Sequence, residues 1–205
     1  MKNLMTFFIT VLFILHFMAC KKPCHQPDYH FSINSSFAIE KDSMPVGDTL
    51  WLTCESSTNM LDLNTKSQID FSNAQNFGSA LIISDINKFH SLIRGAVDSF
   101  DFVKARGDIY TIQNLDPNGT KQLNFAEGND MYSLKIGMVA KRKGLYILSI
   151  VDIPNVVYRK GQEQCGKGSF EILNNNLNRH FYLFENLWGP LSEYDKKHGY
   201  CVKVY

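Results

Sequence analysis

The chain has 205 residues, 44% of them hydrophobic, with 21 basic side chains against 20 acidic ones. A chain of this length forms one large domain, or one domain with an extension, and buries enough surface to fold without a metal or a disulfide. Its near-zero net charge sets up no strong field, which excludes a nucleic-acid partner on electrostatic grounds.

The first element is an address. Lys2 precedes the run from Leu4 to Ala19, in which only Thr6, Thr10 and His16 are not apolar. That is the n-region and h-region of a secretory signal. A buried core helix fits poorly, because a run apolar on every face has no polar side to show water. The run is slightly short for a membrane span, which needs about 20 residues. It ends Phe17-Met18-Ala19-Cys20. Ordinary signal cleavage wants small residues at both positions of its site, and Phe17 is not small.

These four residues resemble the lipobox of bacterial lipoproteins, with a bulky apolar residue three before the cysteine and a small one just before it. Phe17 stands where Leu is usual, and Met18 where a smaller residue is common. The resemblance implies cleavage before Cys20, removal of residues 1–19, and diacylglycerol on the Cys20 thiol. Two acyl chains anchor a protein stably where one does not. The alternative is an uncleaved signal anchor, because Lys21 and Lys22 put more positive charge after the apolar run than before it. The Cys20-Lys21-Lys22 start resembles lipoproteins of the Bacteroidetes type, which implies the cell envelope and its outer membrane. The acidic residues that follow the cysteine in that group's surface-exported members are absent, so the periplasmic and external faces both stay open.

Residues 20–27 read as the lipidated tether, because Pro23 and Pro27 lack amide donors and favour an extended chain. Period-two alternation then begins. Tyr29, Phe31 and Ile33 share one face of a strand. Phe37 and Ile39 suggest another extended piece. Residues 42–48 form a turn punctuated by Pro45 and Gly47. In the next strand Leu50, Leu52 and Cys54 face one way and Trp51 the other. The Val46-Gly47-Asp48 turn followed by this strand resembles the second strand of immunoglobulin-like sandwiches of bacterial envelope proteins. Further strands are predicted at 67–71, 80–83, 100–103 and 108–112, around Leu123 and Phe125, and along Tyr132 to Met138. Residues 145–151 are apolar on both faces, which predicts a central strand. Between them Ile86, Phe89 and Ile93 fall at helical spacing and predict a short helix within 86–97. Pro117-Asn118-Gly119 predicts a tight turn.

After Lys160, glycines 161, 166 and 168 predict a loop around Cys165. Leu173, Leu177, Phe181, Phe184 and Trp188 then make one apolar helical stripe. Asn174 to Asn176 would cap it and Gly189-Pro190 would stop it. Residues 200–205 alternate as a closing strand. The expected fold is therefore mainly β: an Ig-like antiparallel β-sandwich over 28–160, with a C-terminal helix and a final strand, residues 161–205, packed on it.

With Cys20 lipidated, four cysteines remain in an oxidising compartment. Cys165 and Cys201 flank the helical stretch and are expected to pair. Cys24 is then left with Cys54, or both stay free as buried thiols. No two cysteines have zinc-site spacing, and the scattered His25, His30, His90, His180 and His198 contain no i, i+4 pair. No metal or cofactor is therefore expected. Asp101, Asp108, Glu127 and Asp130 lie near strand ends, where solvated charge is the ordinary use. Asp42-Ser43-Met44 resembles the Bacteroidetes-type O-glycosylation tripeptide and marks Ser43 as the candidate. No catalytic residue is assigned. The expected function is a lipid-anchored envelope module, non-enzymatic, meeting a protein or glycan partner. The alternative is a small envelope hydrolase whose acids or hydroxyls come together only in the fold.

Overall fold

The structure is a computed structural model, and it describes residues 28–38, 41–75, 77–88, 95–111, 119–158 and 167–205. The signal, the tether with Cys20 and Cys24, the Pro117-Asn118 turn, Cys165, and most of the helix expected within 86–97 lie outside them. The flanks of that helix are two 3-10 turns, Ile86–Lys88 and Val97–Ser99.

In chain order the strands are β1 (Tyr29–Ala38), β2 (Ser43–Met44), β3 (Thr49–Ser57), β4 (Asn59–Leu61), β5 (Gln68–Asp70), β6 (Gly78–Asp85), β7 (Phe100–Arg106) and β8 (Asp108–Tyr110). They continue as β9 (Thr120–Asn124), β10 (Ala126–Gly128), β11 (Met131–Ala140), β12 (Gly144–Ile150), β13 (Ile153–Tyr158), β14 (Lys167–Asn174) and β15 (Gly199–Val204). Two short helices, α1 (Tyr182–Trp188) and α2 (Glu193–His198), stand between β14 and β15. The body is thus mainly β, with a C-terminal helical segment and a final strand.

One sheet runs β10-β11-β3-β1-β14-β13, and β7 shares the outer edge of β11 with β10. The other runs β2-β15-β12-β6-β9-β8. Most pairs are antiparallel, but β1 with β14 and β15 with β2 run parallel. The inner faces are set by the period-two pattern. Leu50, Leu52 and Cys54 of β3 are buried, as are Tyr132, Leu134, Ile136 and Met138 of β11. Across the core they meet Leu81 and Ile83 of β6, Tyr146 and Leu148 of β12, and Tyr200 and Val202 of β15. Trp51 points outward, and the Lys135 ammonium lies 5.3 Å from its ring centre. Asn129 and Asp130, at φ +52° and +56°, make the two-residue turn that joins β10 to β11. Such turns need positive φ at both central positions, which Asn and Asp tolerate. At Gly107 (φ +75°) the chain leaves β7 for β8 in the other sheet; a Cβ there would stand 2.5 Å from the Asn124 carbonyl oxygen.

The strand predicted at Tyr29, Phe31 and Ile33 and the extended piece predicted at Phe37 and Ile39 are one strand, β1, as far as Ala38; Ile39 lies outside the described residues. The central strand expected at 145–151 is β12, held between β15 and β6. Its outer face carries Ile147, which joins Cys201 of β15 and Ile86 beneath Phe184 of α1 and Leu191. The helices therefore cover the outer face of the second sheet, which explains why β12 is apolar on both sides.

The single helix expected from Leu173 to Trp188 is not formed. Leu173 belongs to β14, where Gly168, Phe170, Ile172 and Asn174 alternate as the buried residues. The helix begins only at Tyr182. Asn side chains bond nearby backbone groups in non-helical conformations, and here the run of three does so and prevents a helix from propagating through it. Gly168, expected in the loop around Cys165, is in β14 as well.

Candidate binding loop

The crossing from β14 to α1 takes the chain from one sheet to the other through residues 175–181, and hydrogen bonds fasten it on both sides of Leu177. Asn175 N donates to Ser35 O at 2.8 Å. Phe37 N donates to Asn176 Oδ1 and Asn176 Nδ2 donates to Phe37 O, both at 2.7 Å. One amide side chain thus replaces a missing neighbour at the end of β1. Asn176 N donates to Asn174 Oδ1 at 3.0 Å, and Asn174 Nδ2 to Gly199 O at 2.7 Å. Arg179 Nε donates to Asn176 O at 3.0 Å, while its Nη1 donates to Lys196 O in α2. Cys201 N donates to Arg179 O at 3.0 Å, tying the loop to β15.

At the centre of this frame Leu177 is fully exposed, with a relative accessibility of 106%. An open groove of 670 Å³ lies on one side of it, between Ser36–Ala38 and Asn175–Asn178. A second, of 510 Å³, shares the lining Asn175–Asn178 and continues over Arg179–Tyr182. A leucine side chain left in water forgoes about 1.5–3 kcal/mol of burial. The backbone beneath it is not free to tuck that side chain away.

Two histidines brace the loop. His180, at φ +54°, is buried, and its Nε2 has no hydrogen-bond partner among the described residues. Its ring stands nearly perpendicular to those of Tyr200, at 5.5 Å, and Tyr182, at 6.4 Å. Burial pushes the His180 imidazole below its ordinary value, and the Asp42 charge only opposes this. Asp42 accepts from the Tyr182 hydroxyl and from Ser43, and these two bonds hold its carboxyl below the usual range. Ser43, the candidate for glycosylation, opens β2 and is half-buried.

His198 ends α2 and is buried. Its Nδ1 lies 2.8 Å from Tyr194 O and its Nε2 2.9 Å from Asp152 Oδ1. Ile172 N donates to the same carboxylate oxygen at 2.7 Å. The Tyr194 ring lies 4.2 Å from that of His198. With both ring nitrogens committed, this Asp–His pair has no free nitrogen to serve as a general base toward a nucleophile.

The other residues singled out in the sequence are placed apart from this loop's bracing. Asp101 pairs with Lys141 at 3.0 Å and Asp108 with Lys104 at 2.7 Å, both on the surface. Glu127 accepts from Asn73 N at 2.8 Å, and Asp130 lies in the turn before β11. Among the described residues no group of three His, Cys, Asp or Glu side chains could hold a metal ion. Among the described residues Cys54 and Cys201 are unpaired and buried, and burial pushes each thiol up to about 12. The partners expected for them, Cys24 and Cys165, lie outside the described residues.

Nothing in the sequence marked the loop as a unit. The one signal was the density of Asn between Asn174 and Asn178, which reads equally as a helix cap.

Fold and loop together define a β-sandwich that fixes an apolar side chain at one end. No family model matches this chain, and no curated protein matches it. Among solved structures it is similar to the reeler domain of human F-spondin, at 10% identity and a TM-score of 0.36, over 76% of this chain and 91% of that one. It is also similar to the second type II cohesin module of the ScaA scaffoldin from Acetivibrio cellulolyticus, at 10% identity and a TM-score of 0.33, over 70% and 92% of the two chains. A non-cellulosomal cohesin from Archaeoglobus fulgidus matches at 12% identity and a TM-score of 0.27, over 72% and 92%. Likenesses this distant carry nothing about partner or activity.

Proposed function

We propose that the chain is a lipid-anchored protein of the cell envelope, held at the outer membrane through Cys20, whose sandwich presents the loop 175–181 to a protein partner. The observation that carries the binding role is Leu177, fully exposed on backbone that is hydrogen-bonded on both sides. A mere connector has no use for an apolar tip on a fixed frame. A preorganised one spends no ordering entropy on binding. Leucine offers dispersion and an apolar volume to fill a pocket, and it has no flat face on which a sugar stacks, so a protein is favoured over a glycan. The anchor is supported by the Phe17-Met18-Ala19-Cys20 run. No helix of the described residues is long and apolar enough to cross a membrane. An envelope hydrolase draws no support from the Asp152–His198 pair, whose nitrogens are both occupied.

A photo-crosslinking side chain placed at Leu177 in living cells tests the reading, with Leu61 as the exposed control beside the β1 start. A discrete protein adduct at 177 and none at 61 is expected. No adduct at 177, or the same adducts at both, overturns it. For the anchor, Cys20→Ser should shift the protein to the soluble fraction or leave an uncleaved precursor. A variant that matures to the parent size and stays in membranes removes the lipoprotein reading.

A further inference from the structure

Arg179 stands two residues beyond Leu177, is half-buried, and lines the same groove. A guanidinium carries five N–H donors and no acceptor. Two of those donors are spent, Nε–H on Asn176 O and one hydrogen of Nη1 on Lys196 O. Both acceptors are neutral peptide carbonyls. Three hydrogens remain, one on Nη1 and two on Nη2, and they form the end of the fork that grips a carboxylate with two parallel bonds. Bracing the loop and favouring the C-terminal end of α2 account for the first two donors and leave these three without a use.

Among the described residues no carboxylate pairs with Arg179. The acids of the elements around it are engaged elsewhere. Glu185 of α1 meets Lys196 at 3.9 Å, and Glu171 of β14 meets Lys197. Asp195 of α2 accepts from the Ser192 hydroxyl at 2.5 Å, and Asp42 accepts from Tyr182 and Ser43. Burial strips water from the Arg179 guanidinium and pushes it below its ordinary value. Arginine still keeps its charge throughout the range in which proteins work. It is therefore a cation that has lost hydration and gained no opposite charge, a costly state until a partner supplies one.

The other polar groups of the groove lean the same way. Asn178 is exposed, and its Oδ1 is taken by His180 N at 3.3 Å, which leaves its NH₂ to donate. The Tyr182 hydroxyl is spent on Asp42. Donors are thus left over around one positive charge, beside an exposed leucine.

We propose that the groove over Asn175–Tyr182 is an acid-reading subsite, in which Arg179 and the Asn178 amide receive an aspartate or glutamate side chain of the protein partner that meets Leu177. This rests on the reading of Leu177 as the contact, and it names the chemistry of what is contacted: an apolar residue with an acid close by. The near-zero net charge of the chain steers nothing over distance, so the acid is selected on contact.

The test is a selection of randomised dodecapeptides, displayed on phage, against the full-length protein in detergent micelles. Peptides kept by the parent and lost by Leu177→Ala are the ones that use the loop. Among them Asp or Glu, at a fixed distance from a large apolar residue, should be enriched by about tenfold or more over Asn or Gln at the same place. Arg179→Gln should lose that acid preference and keep the apolar one. Arg179→Lys, which has the charge without the fork, should keep a weaker acid preference. A merely structural Arg179 would leave the ratio of acid to amide where it was. If Arg179→Gln fails to fold, the parent selected at about 0.5 M salt decides, because screening should cut the same ratio several-fold. No loop-dependent peptides, no acid preference on the parent, or a preference that survives Arg179→Gln or high salt overturns the proposal. Apolar enrichment without acid overturns the subsite and leaves Leu177 as a contact. Acid-bearing peptides with no crosslink at Leu177 in cells support the subsite and overturn only the cellular partner.

Discussion

Asp62 is a fully buried carboxylate that holds the start of β1 against the β4–β5 hairpin. His30 N donates to its Oδ1 at 2.7 Å, and Thr65 donates to Oδ2 through its N–H at 2.9 Å and its hydroxyl at 2.6 Å. Burial alone would raise this carboxyl. The donors outweigh it and bring the group down to about 2. A carboxyl depressed in the folded state stabilises the fold above the unfolded value of about 3.9, and that contribution is lost as pH falls toward the folded one. Urea melts at stepped pH should therefore show a loss of stability between about pH 4 and about pH 2 that Asp62→Asn lacks. At pH ~7 the same substitution should cost about 1–3 kcal/mol, because a neutral amide accepts these bonds less well and must turn an NH₂ toward a donor. The thiols of Cys54 and Cys201, raised to about 12, should resist alkylation until the protein is denatured.

The loop between β14 and α1 shows what an element can hide. Four-residue spacing of Leu173, Leu177 and Phe181 reads as a helix, yet Leu173 lies within a strand, Leu177 faces water, and Phe181 only precedes a helix. The asparagines decided it, by bonding to β1 and to β15 instead of leaving the backbone to bond to itself. Asn176 is the main clasp. Asn176→Ala removes the partner of both the N–H and the carbonyl of Phe37, and should cost about 1–3 kcal/mol. Faster hydrogen exchange at the Phe37 amide, with β3 and β11 unchanged, is the expected mark. Leu177→Ala, by contrast, should stay within about 0.5 kcal/mol of the parent in a urea melt, since its side chain packs on nothing.

At the scale of the whole molecule, stability rests on the two inner faces. Leu52→Ala, in the middle of β3, should cost about 2–5 kcal/mol in a denaturant melt. The alternation of Leu50, Leu52 and Cys54 was legible because burial on a strand repeats every second residue whatever lies opposite. The double-sided apolar pattern of residues 145–151 was legible for the same reason, though not that helices cover its outer face. The parallel pairing of β1 with β14 was not, since it joins residues about 140 apart and leaves no local trace. The sequence by itself determined most of the strands and turns before Ile150, the faces of β1, β3 and β11, and the expectation of an anchor at Cys20. Each of these follows from side chains within a few positions of one another. Only the tertiary structure decided that Leu177 stands exposed where it lines two grooves, and that His198 meets two acceptors while Nε2 of His180 meets none among the described residues. Asp152 is 46 residues from His198, and Phe37 is 139 from Asn176, so contacts of that kind exist only once the sheets have closed.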